Sequence, residues 1–276
     1  MKMTLSLFTL SFSFICLSQQ IAITLDDAPF GYSAGMSDDK RVEAVDRILV
    51  ALKKYKVDAT FLVTSGNITA GNQIILDRIK TAGHQLGNHT HRHFNLNNVS
   101  AARYIADIDS CKLLAGKWFN SNYFRYSMLR RGDTRAKRDS VYAHLKAKDY
   151  TIAPVSMDNN EWIYNRDYSR VLAKEDQENM DRIGEEYLKH MQEIATNYQK
   201  MSEELMGREV SHILLIHANP INADYLDHLL SWFKKEGWKF ITLDEAMEDQ
   251  VYRIPTDSVY LRGASVLDII KRERSN

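Results

Sequence analysis

A chain of 276 residues and 31.9 kDa has room for one large domain or two small ones. With 44% hydrophobic and 26% charged residues, and only 12 Gly, 4 Pro and 2 Cys, the composition excludes a disordered tail, a collagen-like fibre and a disulfide-dense mini-domain. Lys+Arg and Asp+Glu both number 36, so no net basic charge is available to neutralise a phosphate backbone, and nucleic acid is not an expected partner.

In chain order, Met1-Lys2 supplies a positive start, and residues 4–17 are apolar or small-polar without a formal charge. This run is too short to span a bilayer and reads as a secretory signal peptide over 1–18, with small side chains at Cys16 and Ser18. The alternatives are a buried N-terminal helix or an uncleaved anchor. Cleavage near Gln19 would remove Cys16 and leave Cys111 without an internal disulfide partner, as a packed small hydrophobe. The expected location is therefore outside the cytoplasm, periplasmic or secreted, with no stable membrane insertion.

Residues 21–25 form a short β-branched run that ends in Asp26-Asp27. Apolar residues at Val42, Val45, Ile48, Leu49 and Leu52 predict a helix over 39–55, and 59–63 read as the next strand. A helix over 74–82 is closed by Gly83, and 84–88 lead into a His-rich turn. Helices are expected over 100–119 and 140–148, strands at 123–125 and 150–155. Near the end come a strand over 211–217, a helix over 223–236 and a strand over 239–243. Short apolar strands alternating with helices predict a parallel sheet buried on both faces, with no linker to divide residues 19–276 into more than one domain. The long polar stretch 165–206 breaks the rhythm. Its apolar residues, Ile183, Tyr187, Met191, Ile194, Tyr198, Met201 and Leu205, are spaced for a single amphipathic helix, read as a helical insertion that packs on the core.

The metal-binding residue types cluster just past strands. Asp26-Asp27 follow the first strand, His89-Thr90-His91-Arg92-His93 a short strand, Arg125 another, and His217 ends the run 213–216. In parallel α/β barrels such positions converge on one rim and carry the active site. Each has a blander reading: an Asp pair as a helix cap or turn, a strand-end His as a structural residue. Two histidines four apart suit one cation, and their joint occurrence with the acids gives the pattern its weight.

Thr24-Leu25-Asp26-Asp27-Ala28-Pro29 and Gly83-His84-Gln85-Leu86-Gly87-Asn88-His89-Thr90-His91-Arg92-His93 resemble the first two motifs of the polysaccharide deacetylases, the NodB-homology or carbohydrate esterase family 4 group. Phe124-Arg125-Tyr126-Ser127-Met128, Asp158-Asn159-Asn160-Glu161-Trp162 and Leu214-Leu215-Ile216-His217 resemble the third, fourth and fifth, in the family's order and over about residues 21–247. The resemblance implies an α/β fold, a single distorted (β/α)-barrel with fewer than eight strands, and one divalent metal: zinc first, with cobalt, nickel or manganese as alternatives.

It also implies roles. Asp27, His89 and His93 would be the ligands, Asp26 the general base, His217 the general acid, and Arg125 the partner that keeps Asp26 ionised. Glu161 falls where the family has an Asp that orients the acid, with Asp158 as the alternative. The Met128 backbone N–H would receive the oxyanion, and Trp162 and Leu215 would wall a recess for the acetyl methyl. Ala28 replaces a usual Gly and Leu25 a usual Phe, while Ser127 and Met128 stand where proline and an aromatic commonly sit. His91 is read as a substrate-side or solvent group, and His84 and His212 as structural. The expected function is an exported metal-dependent hydrolase that removes acetyl groups from a carbohydrate, N-acetyl on a chitin- or peptidoglycan-type amino-sugar polymer. The alternatives are O-acetyl on a plant polysaccharide, a metal-dependent hydrolase of another bond, and a carbohydrate-binding barrel without catalysis.

Overall fold

The computed structural model describes residues 19–254 and 263–275; the signal-peptide expectation for 1–18 therefore lies outside the described residues. β1 (Gln20–Ala28) is the central strand, and its alternation shows how the sheet is buried. Ile21, Ile23 and Leu25 pack outward against helices, while Ala22 turns inward to meet Leu62, Tyr123 and Ile213. Both faces are thus apolar at the base of the strand, as a helix-covered parallel sheet requires.

Around β1 stand β2 (Thr60–Val63), β3 (Gln85–Asn88), β4 (Tyr123–Phe124), β5 (Thr151–Ile152), β6 (Ser211–His217) and β7 (Lys239–Ile241). Every pairing is parallel, in the order β5-β4-β3-β2-β1-β6. β7 pairs with Gln20–Ala22 of β1, below the part that pairs with β2. The chain just past β5 then reaches β6 through a parallel bridge between Met157 and Leu214, so the two sides of the curved sheet meet. Seven strands in this arrangement form the expected distorted barrel. Gly87 shows how tightly β3 and β4 approach: a Cβ there would lie 2.5 Å from the Tyr123 carbonyl oxygen.

The helices form the outer layer. They are α1 (Asp38–Tyr55), α2 (Ile74–Thr81), α3 (Ala101–Ala115), α4 (Arg135–Ala147), α5 (Glu161–Leu172), α6 (Gln177–Met206), α7 (Pro220–Lys235), α8 (Leu243–Met247) and α9 (Val266–Arg274). Side-chain caps mark several starts: Ser37, Ser100, Thr134 and Asn219 each accept a bond from a first-turn N–H. α4 begins five residues earlier than its apolar pattern suggests because Thr134 supplies that cap. α3 stops at Ala115, just before Gly116.

Two expectations are corrected. The single helix over 165–206 is in fact two helices, α5 and α6, which pack side by side. The break falls at Ala173–Asp176, where Glu175 adopts φ 57° and Asp176 caps α6 through Asn179 N–H. The strand at 150–155 contracts to Thr151–Ile152. Pro154 has no N–H for a ladder, and the Ala153 and Pro154 carbonyls accept from Arg125 instead.

Cys111 is buried, as expected, with its thiol against the Val63 carbonyl and its pKa pushed up to about 11 by burial. His84 and His212 are also buried: His84 Nδ1 accepts from Ala59 N–H, and His212 Nδ1 lies 3.2 Å from Ser156 Oγ.

Candidate metal and catalytic site

Parallel strands place their carboxyl ends on one rim, where parallel α/β barrels carry their active sites. Along the inner face of β1, Ala22 is followed by Thr24 and then Asp26, an ascent from apolar base to charged rim. Regular alternation would turn Asp27 outward. Asp27 instead adopts φ 66°, in a register break between Leu25 and Ala28, and consecutive carboxylates face one site. Thr64 Oγ1 donates to Asp27 Oδ1 at 3.1 Å, and Asn67 Nδ2 donates to its carbonyl.

Beyond β3 the chain turns sharply, with φ 71° at Thr90 and 53° at His93. Thr90 N–H donates to Asn88 Oδ1, His93 N–H to Thr90 Oγ1, and Arg92 N–H to the Asp107 carboxylate. This turn brings His89 and His93 onto one side. His89 Nδ1 donates to the Arg125 carbonyl at 2.9 Å, which leaves the Nε2 lone pair facing the site. His91 is directed elsewhere, with Nδ1 2.9 Å from Ser65 Oγ.

The ligand atoms of Asp27, His89 and His93 lie within 4.8 Å of one another. Nε2 of His93 is 3.2 Å from Nε2 of His89 and 3.6 Å from Asp27 Oδ1, and His89 Nε2 is 4.0 Å from the same oxygen. Bonds of ~2.1 Å to a tetrahedral cation would separate its ligands by roughly 3.4 Å, so one carboxylate and two imidazoles fit a single divalent ion. Burial lowers the His89 pKa to about 4, so its imidazole is neutral, the form that ligates. Burial alone would raise the Asp27 pKa, but His93, His217, His89 and the Thr64 hydroxyl together hold it below the usual value.

Arg125, fully buried, stands under Asp26. Its guanidinium donates to Asp26 Oδ1 at 2.7 Å, to Thr24 Oγ1 at 2.8 Å and to the Ala153 and Pro154 carbonyls. Asp26 Oδ2 is left 3.5 Å from His89 Nε2, at the edge of the ligand cluster.

His217 ends β6. Its Nδ1 donates to Glu161 Oε2 at 2.7 Å, and Oε1 of the same carboxylate accepts from Asn219 and Asn222, both at 2.6 Å. Burial would lower the His217 pKa; the Glu161 carboxylate and hydrogen bond, with Asp27 and Asp26, outweigh it and push the value up to about 9. The contact to His217 is therefore made by Glu161 and its longer arm, while burial and the neighbouring Asp268 raise the Asp158 pKa.

A cavity of about 340 Å³ opens on this rim between Asp27, His217, Asn219, Tyr32 and Trp162. Trp162 is half exposed at its edge, while Leu215 lies buried two residues before His217 on β6. Met128 occupies a turn with φ 55°, and Ser127 beside it contacts Thr90 Oγ1, so this turn leans on the histidine loop. The sequence reading missed Thr24, Thr64, Asn219 and Asn222 as site residues. Asn219-Pro220 was the visible signal, an N-cap followed by proline at the first helical position.

A buried imidazole, a partly buried imidazole and a partly buried carboxylate that could hold a cation, with a second carboxylate and a third imidazole close by on the rim of a parallel barrel, suit a hydrolase-type site. Residues 17–148, just under half of the chain, match the polysaccharide deacetylase family model. The peptidoglycan-N-acetylmuramic acid deacetylase PdaA of Bacillus subtilis is 23% identical over 210 residues, covering 76% of this chain and 68% of that one. The peptidoglycan deacetylase PdaC of Bacillus subtilis superposes with a TM-score of 0.54 at 18% identity, over 94% of both chains. A family 4 pseudoenzyme of Bacillus anthracis superposes with a TM-score of 0.57 at 17% identity, over 84% of this chain and 66% of that one. At these identities, the two structural likenesses bear on the fold alone.

Proposed function

We propose that this chain is an exported, metal-dependent hydrolase that removes acetyl groups from a carbohydrate, with N-acetyl on an amino-sugar polymer of peptidoglycan or chitin type as substrate. One observation carries the reading: beside the three-donor cluster stand a carboxylate held by Arg125 and an imidazole held by Glu161. The names of the curated relatives supply the substrate class, and PdaA supports an amino sugar.

Asp27, His89 and His93 would hold the cation, which when bound supplies Lewis acidity toward the carbonyl and makes water more acidic. Asp26 then takes the proton from the attacking water, with its bond to Arg125 holding the carboxylate in place. The water oxygen bonds to the acetyl carbon, and the Met128 backbone N–H receives the charge that develops on the carbonyl oxygen. His217, protonated at neutral pH, gives its proton to the sugar nitrogen as the carbon–nitrogen bond breaks. Acetate and a free amine result. Glu161 holds the imidazole in place, and Trp162 and Leu215 wall the methyl recess.

A non-catalytic barrel would have no use for a base and an acid together. Asp26 and His217 each have a dedicated buried partner, which favours turnover. Acetate release from chitooligosaccharide, peptidoglycan fragments and acetylated xylan, with and without chelator, tests the reading. Release that survives complete metal removal would overturn the metal-dependent mechanism. Release from xylan alone would move the substrate to an O-acetyl ester.

A further inference from the structure

Glu161 is an acceptor only, and it is fully buried, so each of its oxygens requires donors. One oxygen takes His217. The other takes two amides, and this fixes how Asn222 is turned: its NH2 must face Glu161. The Asn222 carbonyl oxygen then faces the opposite way, where Tyr187 O–H donates to it at 2.6 Å. Burial raises the Tyr187 pKa well above its usual value, so this hydroxyl keeps its proton. Asn222 Nδ2 also donates to the His217 carbonyl at 2.9 Å, tying the same amide to the strand end that carries the imidazole.

Tyr187 belongs to α6, the long helix that the family resemblance left without a purpose. One turn further on, His190 Nε2 donates to the Asn159 carbonyl, and Asn159 Oδ1 accepts from Glu161 N–H. Two side chains on one face of α6 therefore converge on the segment that bears Glu161, one through Asn222 and one through Asn159. The rest of that face, Ile183, Met191, Ala195 and Tyr198, enters the apolar core.

We infer that α6 is a positioning element for the proton donor: Tyr187, acting through Asn222 and Glu161, holds His217 in the orientation that proton delivery requires. The inference rests on the deacetylase reading and goes beyond it, since Tyr187 and Asn222 touch neither the ligand cluster nor the cavity. Glu161 has one more methylene than the family's usual Asp, and the additional amide anchors restrain that longer arm.

The test is Tyr187→Phe in the metal-loaded protein, which removes one hydroxyl and keeps the ring. The expected result is a fall in kcat of about tenfold or more, the scale on which a misplaced proton donor acts. KM and metal content should hold, and the alkaline limb of the kcat profile should move to lower pH. Met191→Leu, on the same face but without a polar contact, should change neither kcat nor the profile. The His217 imidazole resonance, followed by NMR in the metal-free folded protein, should titrate at lower pH in Tyr187→Phe than in the wild type. This measurement stands even if the wild type releases no acetate and the functional reading fails. An unchanged His217 titration in Tyr187→Phe overturns the positioning role, as does an unchanged kcat profile in an active enzyme.

Discussion

Asp26 and His217 are register partners across the parallel pair β1 and β6, so the two groups proposed to move protons stand on neighbouring strands at the same height. The strand ladder sets their separation, and each is turned by a buried partner, Arg125 for Asp26 and Glu161 for His217. The different partners suit the two residues to the different duties proposed for them, although both stand near one cluster of possible ligands.

Asp26→Asn keeps the shape and the Arg125 contact but cannot take a proton. Turnover should fall by about 10²–10⁴-fold, the usual contribution of a general base, with metal stoichiometry unchanged by elemental analysis. Loss of metal in this variant would reverse the assignments of Asp26 and Asp27.

His89→Ala and His93→Ala each remove one of three donors. Metal content after dialysis should drop in both, and His89→Ala should also destabilise the fold because that ring is buried against the Arg125 carbonyl. Full stoichiometry in either variant would exclude that histidine as a ligand.

Glu161→Gln removes the charge that most favours protonated His217, whose pKa is pushed up to about 9. The imidazole should then titrate at lower pH. Because a general acid acts only when protonated, the alkaline limb of kcat should follow it downward. Glu161→Asp, with a shorter arm, should retain part of the raised value. An alkaline limb that stays in place in Glu161→Gln would separate His217 from the acid role.

Stability of the metal-free protein should depend on pH from both sides. Burial depresses His89 to about 4 and His212 to about 3. Below pH ~6.5 the unfolded chain binds protons that the native protein refuses, so stability falls as the medium is acidified. His217 acts in the opposite sense: its raised pKa stabilises the fold below pH ~6.5, and this contribution is lost as pH rises through about 9. Thermal melts across pH 4–10 should therefore peak near neutrality. A melting temperature that rises steadily from neutral to acid would contradict the buried neutral state of His89 and His212.

Arg125→Met should destabilise by about 3–5 kcal/mol in urea unfolding, since it leaves the Asp26 carboxylate buried without its cation. The paired change with Asp26→Ala should recover part of that loss. A single-variant loss below about 1 kcal/mol would mean that water replaces the guanidinium.

Much of this site was legible because its residues belong to short local patterns. Asp26-Asp27, His89 to His93 and His217 all follow apolar runs, and a parallel strand delivers its next residues to the rim wherever it stands in the chain. Strand-helix alternation likewise announced the barrel, since each run had to be apolar on both faces. Two misreadings were local as well. A stripe of apolar residues continues across a helix break when the following helix presents a face to the same core, so 165–206 looked like one element. Pro154 inside 150–155 was a ladder-breaking signal that the apolar run concealed.

What sequence alone determined was the set of candidate site residues and the kind of sheet that gathers them, because both depend on periodicity and on residue type at neighbouring positions. Tertiary structure alone decided which partners tune them. Thr24 below Arg125, and Tyr187 behind Asn222 and Glu161, meet across 101 and 35 residues of chain, at contacts that obey no sequence period. Buried polar groups accept only donors that arrive in the right geometry, and that geometry exists only once the strands and α6 have packed.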